Sequence, residues 1–354
     1  MAYTTINDPS AYFQTLLYAG NASQTALTNT GNSNLQPDFI WIQNRTSSSH
    51  YNALQDVNRG IDKILSTQVA SAEVDTSEQV KSVQSDGFTV GDNSDSQNYV
   101  NLNSNNYCAW QWKMNGSAST NNDGSIASSV NASTTAGQSI ITWTGTGSNG
   151  TIGHGLGVAP MMFWIKRRDT GSTNWRVYNR MLGGATKFLE MNGSGGEQTS
   201  STIFNSAHPT SSVINLGPSG DTNGNGGTYV CHAFAPVKGY SKMGMYMGND
   251  SSDGSRVFTG FKPAFLLIKC SSHTEPWFIV DSVRSPRNQT EAALRPDATA
   301  AENSSSGYSV NLLSDGFKCV DGAGNANGAG KAYIYLAFAE HPYVAGNDII
   351  ALAR

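Results

Sequence analysis

The sequence is poor in charge, in cysteine and in long apolar runs. Only 14% of its 354 residues are charged, and the formal net charge is -4. A protein that binds nucleic acid normally carries a basic patch or stripe. The densest basic cluster here, Lys166-Arg167-Arg168, is too short for that and predicts an exposed strand end or loop. We therefore expect no nucleic acid among the partners.

Cysteine and histidine are too sparse for a metal centre. The four cysteines form no C-x-x-C pair, and no histidine lies at ligand spacing from one of them, so a zinc site is not expected. The strand-like surroundings of Cys108, Cys231 and Cys319 predict buried free thiols, which suits assembly in a reducing cytoplasm. We predict neither a metal nor a cofactor.

The chain also lacks the apolar segments that direct a protein to a membrane. Its N-terminus has no basic start followed by an apolar stretch, as a signal peptide would. No apolar run approaches the roughly 18 residues of a membrane span. The longest candidate, residues 263–269, predicts a buried strand. We expect no membrane insertion.

Glycine and aromatic residues, in contrast, are abundant. The 37 Gly, 7 Trp, 14 Tyr and 13 Phe argue against a coiled coil and against disorder. The length exceeds what one hydrophobic core usually supports, which predicts two or three domains.

Three segments of the chain share one order of five landmarks. They are an aromatic before x-Gly (Tyr18, Trp143, Tyr246), a proline that enters an apolar strand (Pro37, Pro160, Pro263), an aromatic-led strand ending near an arginine (Tyr51, Trp175, Trp277), an Asp-Gly turn (Asp86, Asp315, absent from copy two) and a closing strand (Tyr107, Tyr229, Tyr333). The gaps from glycine to proline are 17, 15 and 15, and those from the third landmark to the closing tyrosine are 56, 54 and 56. This agreement predicts a triplicated domain.

The landmarks are typical of an all-β fold. Proline suits the first residue of a strand, Asp-Gly favours a hairpin turn, and short strands between turn signals indicate sandwiches. We predict three tandem β-sandwich (jelly-roll-like) domains with little helix: 1–116 with an N-terminal arm, 117–238 with a linker, and 239–354 with a short C-terminal extension. Residues 73–81 and 288–294 are expected to form a helical turn or two, or else a long loop, between the arginine and the Asp-Gly turn. Residues 115–124 are expected to be a linker, part of which can pair as a strand.

Few residues offer catalytic chemistry. Asp56 and Asp281 fall at matching positions, where copy two has Asn179, and a glycoside hydrolase would need such a carboxylate pair. We favour a structural role for them, in ion pairs with Arg59 and Arg284. No G-x-S-x-G or catalytic triad is present. We predict no catalytic residues and no enzymatic activity.

Several aromatic residues allow two interpretations. They can stack on sugars at a surface or pack in the core, and core packing is favoured because four of the five lie on repeat landmarks. These residues are Trp110, Trp112, Trp143, Trp175 and Trp277. His232, in the closing strand of copy two, is predicted to be a buried histidine with hydrogen-bond partners.

Four segments together resemble structural proteins of tailed-phage virions. They are residues 1–14, 261–269 (FKPAFLLIK), 314–317 (SDGF) and 333–342 (YIYLAFAEHP). The chain is similar over nearly its whole length to repeat-containing virion proteins of marine tailed bacteriophages, including cyanophages. The resemblance implies a virion component that is assembled in the host cytoplasm, and it carries over no site residues.

The expected function is therefore a non-enzymatic structural protein on the virion exterior. A tail fibre or other host-facing appendage is the first interpretation, and a capsid decoration or head-fibre protein is the alternative. A carbohydrate-binding module that recognises host surface glycans is a second alternative. Expected partners are other virion proteins, further copies of the chain, for instance in a trimer, and a host glycan. We also expect residues 1–10 to act as an attachment arm and residues 239–354 to fold alone.

Overall fold

Strands form nearly all of the regular structure. The computed structural model describes residues 3–344 except 96, 98, 291, 305 and 323. Within that part of the chain, the only helical segments are two 3-10 turns, Pro9–Ala11 and Ser306–Tyr308. None of its helices is long and apolar enough to cross a membrane. The predicted all-β class is confirmed.

Repeat 1 is a sandwich of a six-stranded and a three-stranded sheet. The larger sheet has the order β1-β9-β3-β4-β5-β6 and the smaller one the order β2-β8-β7, with all pairs antiparallel. The strands are β1 (Phe13–Ala19), β2 (Thr25–Leu27), β3 (Phe39–Asn44), β4 (Ala53–Asp56), β5 (Gly60–Leu65), β6 (Val74–Asp75), β7 (Val80–Gln84), β8 (Gly87–Val90) and β9 (Asn106–Trp112).

Repeat 2 widens the same plan. Its larger sheet has eight strands in the order β10-β11-β12-β19-β14-β15-β16-β17, and β13 pairs with β18 in the smaller one. The strands are β10 (Ser119–Asn121), β11 (Ser128–Ser133), β12 (Gln138–Thr144), β13 (Gly150–Gly153), β14 (Met162–Arg167), β15 (Arg176–Asn179), β16 (Lys187–Glu190), β17 (Gln198–Thr199), β18 (Val213–Leu216) and β19 (Thr228–Phe234). The segment 115–124 does contain an added strand, β10.

Repeat 3 has the narrowest of the three larger sheets. Four strands in the order β20-β26-β22-β23 face three in the order β21-β25-β24. The strands are β20 (Ser241–Met247), β21 (Arg256–Phe258), β22 (Phe261–Cys270), β23 (Trp277–Asp281), β24 (Val310–Leu313), β25 (Gly316–Cys319) and β26 (Ala332–Pro342).

The strand registers refine the landmarks of the repeat. Phe39 pairs with Asp56, Met162 with Asn179 and Phe265 with Asp281, so the three polar residues are equivalent. Counting back four residues makes Asn52 the equivalent of Trp175 and Trp277, so the choice of Tyr51 was one residue out of register. Counting forward three residues makes Leu182 the equivalent of the arginines at 59 and 284. Arg180 is exposed and lies outside this pattern.

The two predicted helical turns are wrong. Residues 73–81 contain β6 and the start of β7. In the other segment, Thr290 bridges Val310 and Leu294 bridges Ile279, and residue 291 lies outside the described residues. The described residues of both segments contain strand residues, bridges and bends, because tertiary contacts override a weak local helix preference.

The strands after the prolines are buried on both faces. Along β3, Ile40 and Ile42 point into the sandwich of repeat 1, whereas Phe39 and Trp41 point to a separate central cluster. The same alternation occurs in β14 and β22. Because both faces of such a strand pack against apolar side chains, its sequence is a continuous apolar run and does not alternate with polar residues.

The central cluster is shared by all three repeats. Equivalent residues of the closing strands, Trp112, Phe234 and Phe338, all belong to it. The ring of Phe338 lies 5.8 Å from those of both Trp112 and Phe234. Each repeat therefore has a core of its own inside its sandwich and contributes its other sheet face to one common core.

Candidate functional sites at the repeat seams

Equivalent backbone hydrogen bonds join each repeat to the next and close a ring. The amide of Glu73 in repeat 1 donates to the carbonyl of Arg168 in repeat 2 at 2.8 Å. The amide of Glu197 in repeat 2 donates to Ser271 of repeat 3 at 2.6 Å, and that of Glu302 in repeat 3 donates to Arg45 of repeat 1 at 2.9 Å. The order 1 to 2, 2 to 3 and 3 to 1 gives the molecule an approximate threefold arrangement.

Three equivalent side chains reinforce the seams. Gln43, Lys166 and Lys269 occupy the same strand position, and each donates to a carbonyl of the preceding repeat at 2.9, 3.1 and 3.0 Å respectively. Burial lowers the pKa of both lysines to about 8. Lys166 is therefore a buried seam residue, and the prediction of an exposed basic strand end was wrong for it.

The seam between repeats 1 and 2 holds a buried cluster of charges. Arg59 Nε donates to Asp56 Oδ2 at 2.6 Å, and Arg59 Nη1 donates to Glu73 Oε2 at 2.7 Å. Arg168 crosses from repeat 2 and binds Glu73 with two hydrogen bonds of 2.8 and 2.9 Å. His232 of repeat 2 lies 3.1 Å from the same Asp56 oxygen. The cluster alternates acid and base, so each buried charge has a partner of opposite sign.

Hydrogen bonds assign the proton on His232. Trp164 Nε1 donates to His232 Nδ1 at 3.2 Å, so the other ring nitrogen, Nε2, carries the proton and donates to Asp56. Burial lowers the pKa of His232 despite the neighbouring carboxylate. Burial alone would raise the pKa of Asp56, but the charge of Arg59 and the hydrogen bond from His232 hold it well below its usual value. The pair is a neutral imidazole and a carboxylate.

The seam between repeats 3 and 1 repeats this cluster. Arg284 Nε donates to Asp281 Oδ2 at 2.5 Å, and Arg284 Nη1 donates to Glu302 Oε2 at 3.1 Å. Arg45 of repeat 1 binds Glu302 with two hydrogen bonds of 2.8 Å. Trp110 takes the place of His232, and its Nε1 donates to Asp281 at 3.1 Å. Two of the three seams are therefore built alike.

The seam between repeats 2 and 3 lacks the cluster of aspartate and arginine that the other two seams contain. Asn179 replaces the aspartate, Leu182 replaces the arginine, and Ser271 stands where the other seams have Arg45 and Arg168. In the closing strand of repeat 3, Leu336 occupies the position of His232 and Trp110 and offers no donor. A carboxylate here would be buried without a partner, which explains the neutral residue. The Asn179 Nδ2 atom finds no partner among the described residues.

These positions bear on the candidate catalytic carboxylates. Asp56 and Asp281 lie in different seams, and both are fully buried against arginine. Hydrolysis of a glycosidic bond needs two carboxyl groups on either side of one bound sugar. The predicted pairing with Arg59 and Arg284 is confirmed. The sequence did not reveal the other members of the two clusters, Glu73, Glu302, Arg45 and Arg168. The only sign of them in the sequence is that they recur at equivalent positions of the repeats.

The other predicted residues also lie in the interior. Cys108, Cys231 and Cys319 are buried and free, as expected, and so is Cys270. The five tryptophans singled out for sugar stacking are buried, which confirms core packing: Trp110, Trp112, Trp143, Trp175 and Trp277. Among the described residues, no group of three or more His, Cys, Asp or Glu side chains is placed to hold a metal ion.

The comparison with protein families gives one result that spans the three repeats. The family described as a domain of unknown function (DUF7483) matches residues 8–342. The chain belongs to this family. A search of curated proteins gives no match. One family model spans all three repeats, which agrees with their arrangement in one closed ring.

The residues that precede the DUF7483 match fasten repeat 1 to the junction of repeats 2 and 3. Tyr3 donates to the Gly260 carbonyl at 2.8 Å, and Thr4 donates to the Lys238 carbonyl at 2.7 Å. Ile6 is buried in the central cluster. Residues 3–10 are therefore packed against the rest of the chain, and their use as an attachment arm stays a prediction. Residues 1 and 2 lie outside the described residues.

The surface of the DUF7483 domain has a polar groove at the seam of repeats 1 and 2. Its floor is a row of hydroxyl groups across three paired strands, in which Thr120 pairs with Ser129 and Ser129 with Thr142. Its far end is charged, and Arg168 and Thr228 line both parts. Residues that line the groove include Thr120, Ser129, Thr142, Thr144, Arg168, Thr228, Lys63 and Asp75. Such a surface suits a neutral hydroxylated ligand better than an apolar one.

Proposed function

We propose that this chain is a non-enzymatic structural protein on the exterior of a tailed-phage virion, in a tail fibre or another host-facing appendage. The resemblance of residues 261–269, 314–317 and 333–342 to virion proteins of marine tailed phages supports the class of protein. The buried, ion-paired state of Asp56 and Asp281 supports a structural use of the chain's acidic residues.

The observation that carries the proposal is the closed ring of three repeats. Virion appendages and capsid positions are symmetric, and fibres are commonly threefold. One chain with three repeats joined by equivalent backbone hydrogen bonds offers three related surfaces around one axis. It can therefore meet a threefold partner, such as the end of a trimeric fibre, as a single copy. Buried charge clusters at two of the seams favour one fixed arrangement of the repeats over sliding alternatives.

The test is to locate the protein in the particle. We expect mass spectrometry of density-gradient-purified virions of the encoding phage to detect the chain at a fixed ratio to the major capsid protein. We expect cryo-electron microscopy to place it on the tail. Its absence from purified particles would overturn the proposal. Density on the capsid surface would replace the appendage by a decoration or head-fibre role.

A second function is favoured by the hydroxyl-lined groove. We propose that it is a binding site for host surface glycans, because hydroxyl and amide groups recognise sugars by hydrogen bonds. In a glycan array, the purified protein should bind a defined subset of polysaccharides. Changing Ser129 and Thr142 together to Lys should abolish binding, whereas Thr199→Lys, outside the groove, should not. Equal binding by both variants would exclude the groove.

A further inference from the structure

The inner sheet of repeat 3 ends in an uncovered apolar strand. β20 is the first strand of the order β20-β26-β22-β23. Among the described residues its outer edge carries one bridge, between Ser241 at its start and Val237, and no described strand pairs with the rest of it. Seven large apolar side chains are exposed among the described residues, and four of them line this edge and the shallow groove beside it. These four, the β20 patch, are Met181, Met245, Met247 and Phe258. A bare apolar edge is a template for strand pairing.

The equivalent strands of the other repeats show that this edge is special to repeat 3. In repeat 2, β12 is the equivalent strand, and β11 covers it in antiparallel register. The positions of Met245 and Met247 hold Thr142 and Thr144 there. In repeat 1 the same positions on β1 hold Leu17 and Ala19. The fold thus accepts an antiparallel strand at this edge, and only repeat 3 combines an uncovered edge with two methionines.

We propose that β20 pairs antiparallel with β20 of a second copy of this chain, which gives a twofold dimer. Edge strands that pair with themselves form an isologous contact, which closes after two subunits. Two four-stranded sheets would then form one eight-stranded sheet. The larger sheet of repeat 2 also has eight strands, and β10 and β11 extend it at the equivalent edge. This inference rests on the β20 edge and holds whatever the place of the protein in a particle.

The positions of the charged side chains are also compatible with pairing to a second copy of the chain. A register centred on Gly244 places Met243 opposite Met245 of the partner subunit and Lys242 opposite Tyr246 of the partner subunit. Like charges then do not face each other across the strands. The two Lys242 residues lie four positions apart, about 14 Å at strand spacing, which is beyond the Debye length of about 8 Å in physiological salt. The Lys242 ammonium donates to the Phe258 carbonyl of its own chain at 2.6 Å. This hydrogen bond holds the charge of Lys242 at the side of the β20 patch.

The first test is the mass of the full-length protein in solution. Sedimentation velocity and light scattering over about 1 to 100 µM should show a reversible shift to twice the chain mass of 37.6 kDa. The double variant Met245→Lys with Met247→Lys should weaken dimerisation at least about tenfold without lowering the melting temperature of the monomer. The matched control is Ala19→Lys, at the position on β1 equivalent to Met247, which should leave the dimer intact.

The second test reports the register. With the native cysteines buried, Met245→Cys should be joined to its copy by a short bis-maleimide, whereas Ala19→Cys should not. A monomer at every concentration would overturn the proposal. So would a dimer that the double lysine variant leaves unchanged, because another surface would then hold it. A monomer that exposes the β20 patch to a hydrophobic dye only after residues 345–354 are removed would identify the chain's own end as the occupant and would also overturn the proposal.

Discussion

A buried carboxylate is present in two seams and replaced in the third, and the neighbouring residues explain the difference. Asp56 and Asp281 each face an arginine in their own repeat and a donor from another repeat. Asn179 has Leu182 and Leu336 in those places. The charge is kept only where all of its partners are present, since a buried ion without them costs several kcal/mol.

Exchanging Asp for Asn tests this rule in both directions. Asp281→Asn should destabilise the protein by about 3 to 5 kcal/mol, because Arg284 stays buried with half of its charge partners gone. Asn179→Asp should also be destabilising, because nothing positive faces the new charge. Urea unfolding measures both.

The control for these exchanges is a surface ion pair. Asp253 is highly exposed beside Lys318, so Asp253→Asn should change the urea midpoint little. If Asp281→Asn had an equally small effect, the buried cluster would not stabilise the seam.

His232 predicts a loss of stability in mildly acidic solution. Its pKa is lowered in the folded protein by burial, whereas the unfolded chain titrates near 6.5. Below that pH, His232 binds a proton in the unfolded state but stays neutral in the folded state. The free energy of unfolding therefore falls as the pH drops, by at most about 1.4 kcal/mol per pH unit. Asp56, whose pKa is also lowered, would add to the loss only at lower pH, below its unfolded value.

The variant His232→Gln isolates this contribution. A glutamine amide can still donate to Asp56 but does not titrate. The slope of unfolding free energy against pH between 5 and 6.5 should therefore become shallower. His154, whose pKa is also lowered by burial, keeps part of the slope in both proteins. An unchanged slope would mean that His232 does not titrate on unfolding.

At the scale of single elements, the strands were predictable and the extended segments between them were not. The runs after Pro37, Pro160 and Pro263 are apolar on both faces because both faces are covered, so they identify central strands. The segment from Glu73 has polar residues at spacings compatible with a helix. Its conformation is set by Arg59 and Arg168, which hold Glu73 from two repeats. No local pattern contains that information.

The Asp-Gly turns are the elements most sensitive to a small change. At Gly316 a Cβ atom would lie 1.9 Å from the Val257 carbonyl of the neighbouring strand, and at Gly87 it would lie 2.0 Å from the Leu27 carbonyl, with φ at +103°. Gly316→Ala should cost about 2 to 3 kcal/mol, because the backbone of β21 must move.

Gly183 provides a matched control for the turn. A Cβ atom there meets open space, so Gly183→Ala should be nearly neutral in the same thermal unfolding experiment. Equal melting temperatures for the two alanine variants would contradict the close approach at the turn.

At the scale of the whole molecule, the triplication could be predicted from the sequence, but the closed ring of repeats could not. Periodic landmarks reveal three copies, but an apolar residue that faces its own sandwich and one that faces another repeat look the same in a sequence. Trp41 and Trp164 belong to different repeats, yet their rings lie 6.1 Å apart in the shared core. The seam residues recur at equivalent places, so an alignment of the copies contains the charge clusters but not their order around the ring.

The shared core changes the expectation for an isolated repeat. Residues 239–354 keep the core within their own sandwich but lose the neighbours from repeats 1 and 2 that pack against Phe265, Trp277 and Phe338. Large apolar side chains exposed together on one sheet favour aggregation. We therefore now expect this fragment to bind a hydrophobic dye and to aggregate, whereas the full chain should do neither. Co-expression with residues 1–238 should rescue it as a stable complex, because the broken link at 238–239 lies in a tight turn beside the seam. A monomeric fragment with sharp thermal unfolding on its own would mean that the sandwich core suffices and that the central cluster only joins finished domains.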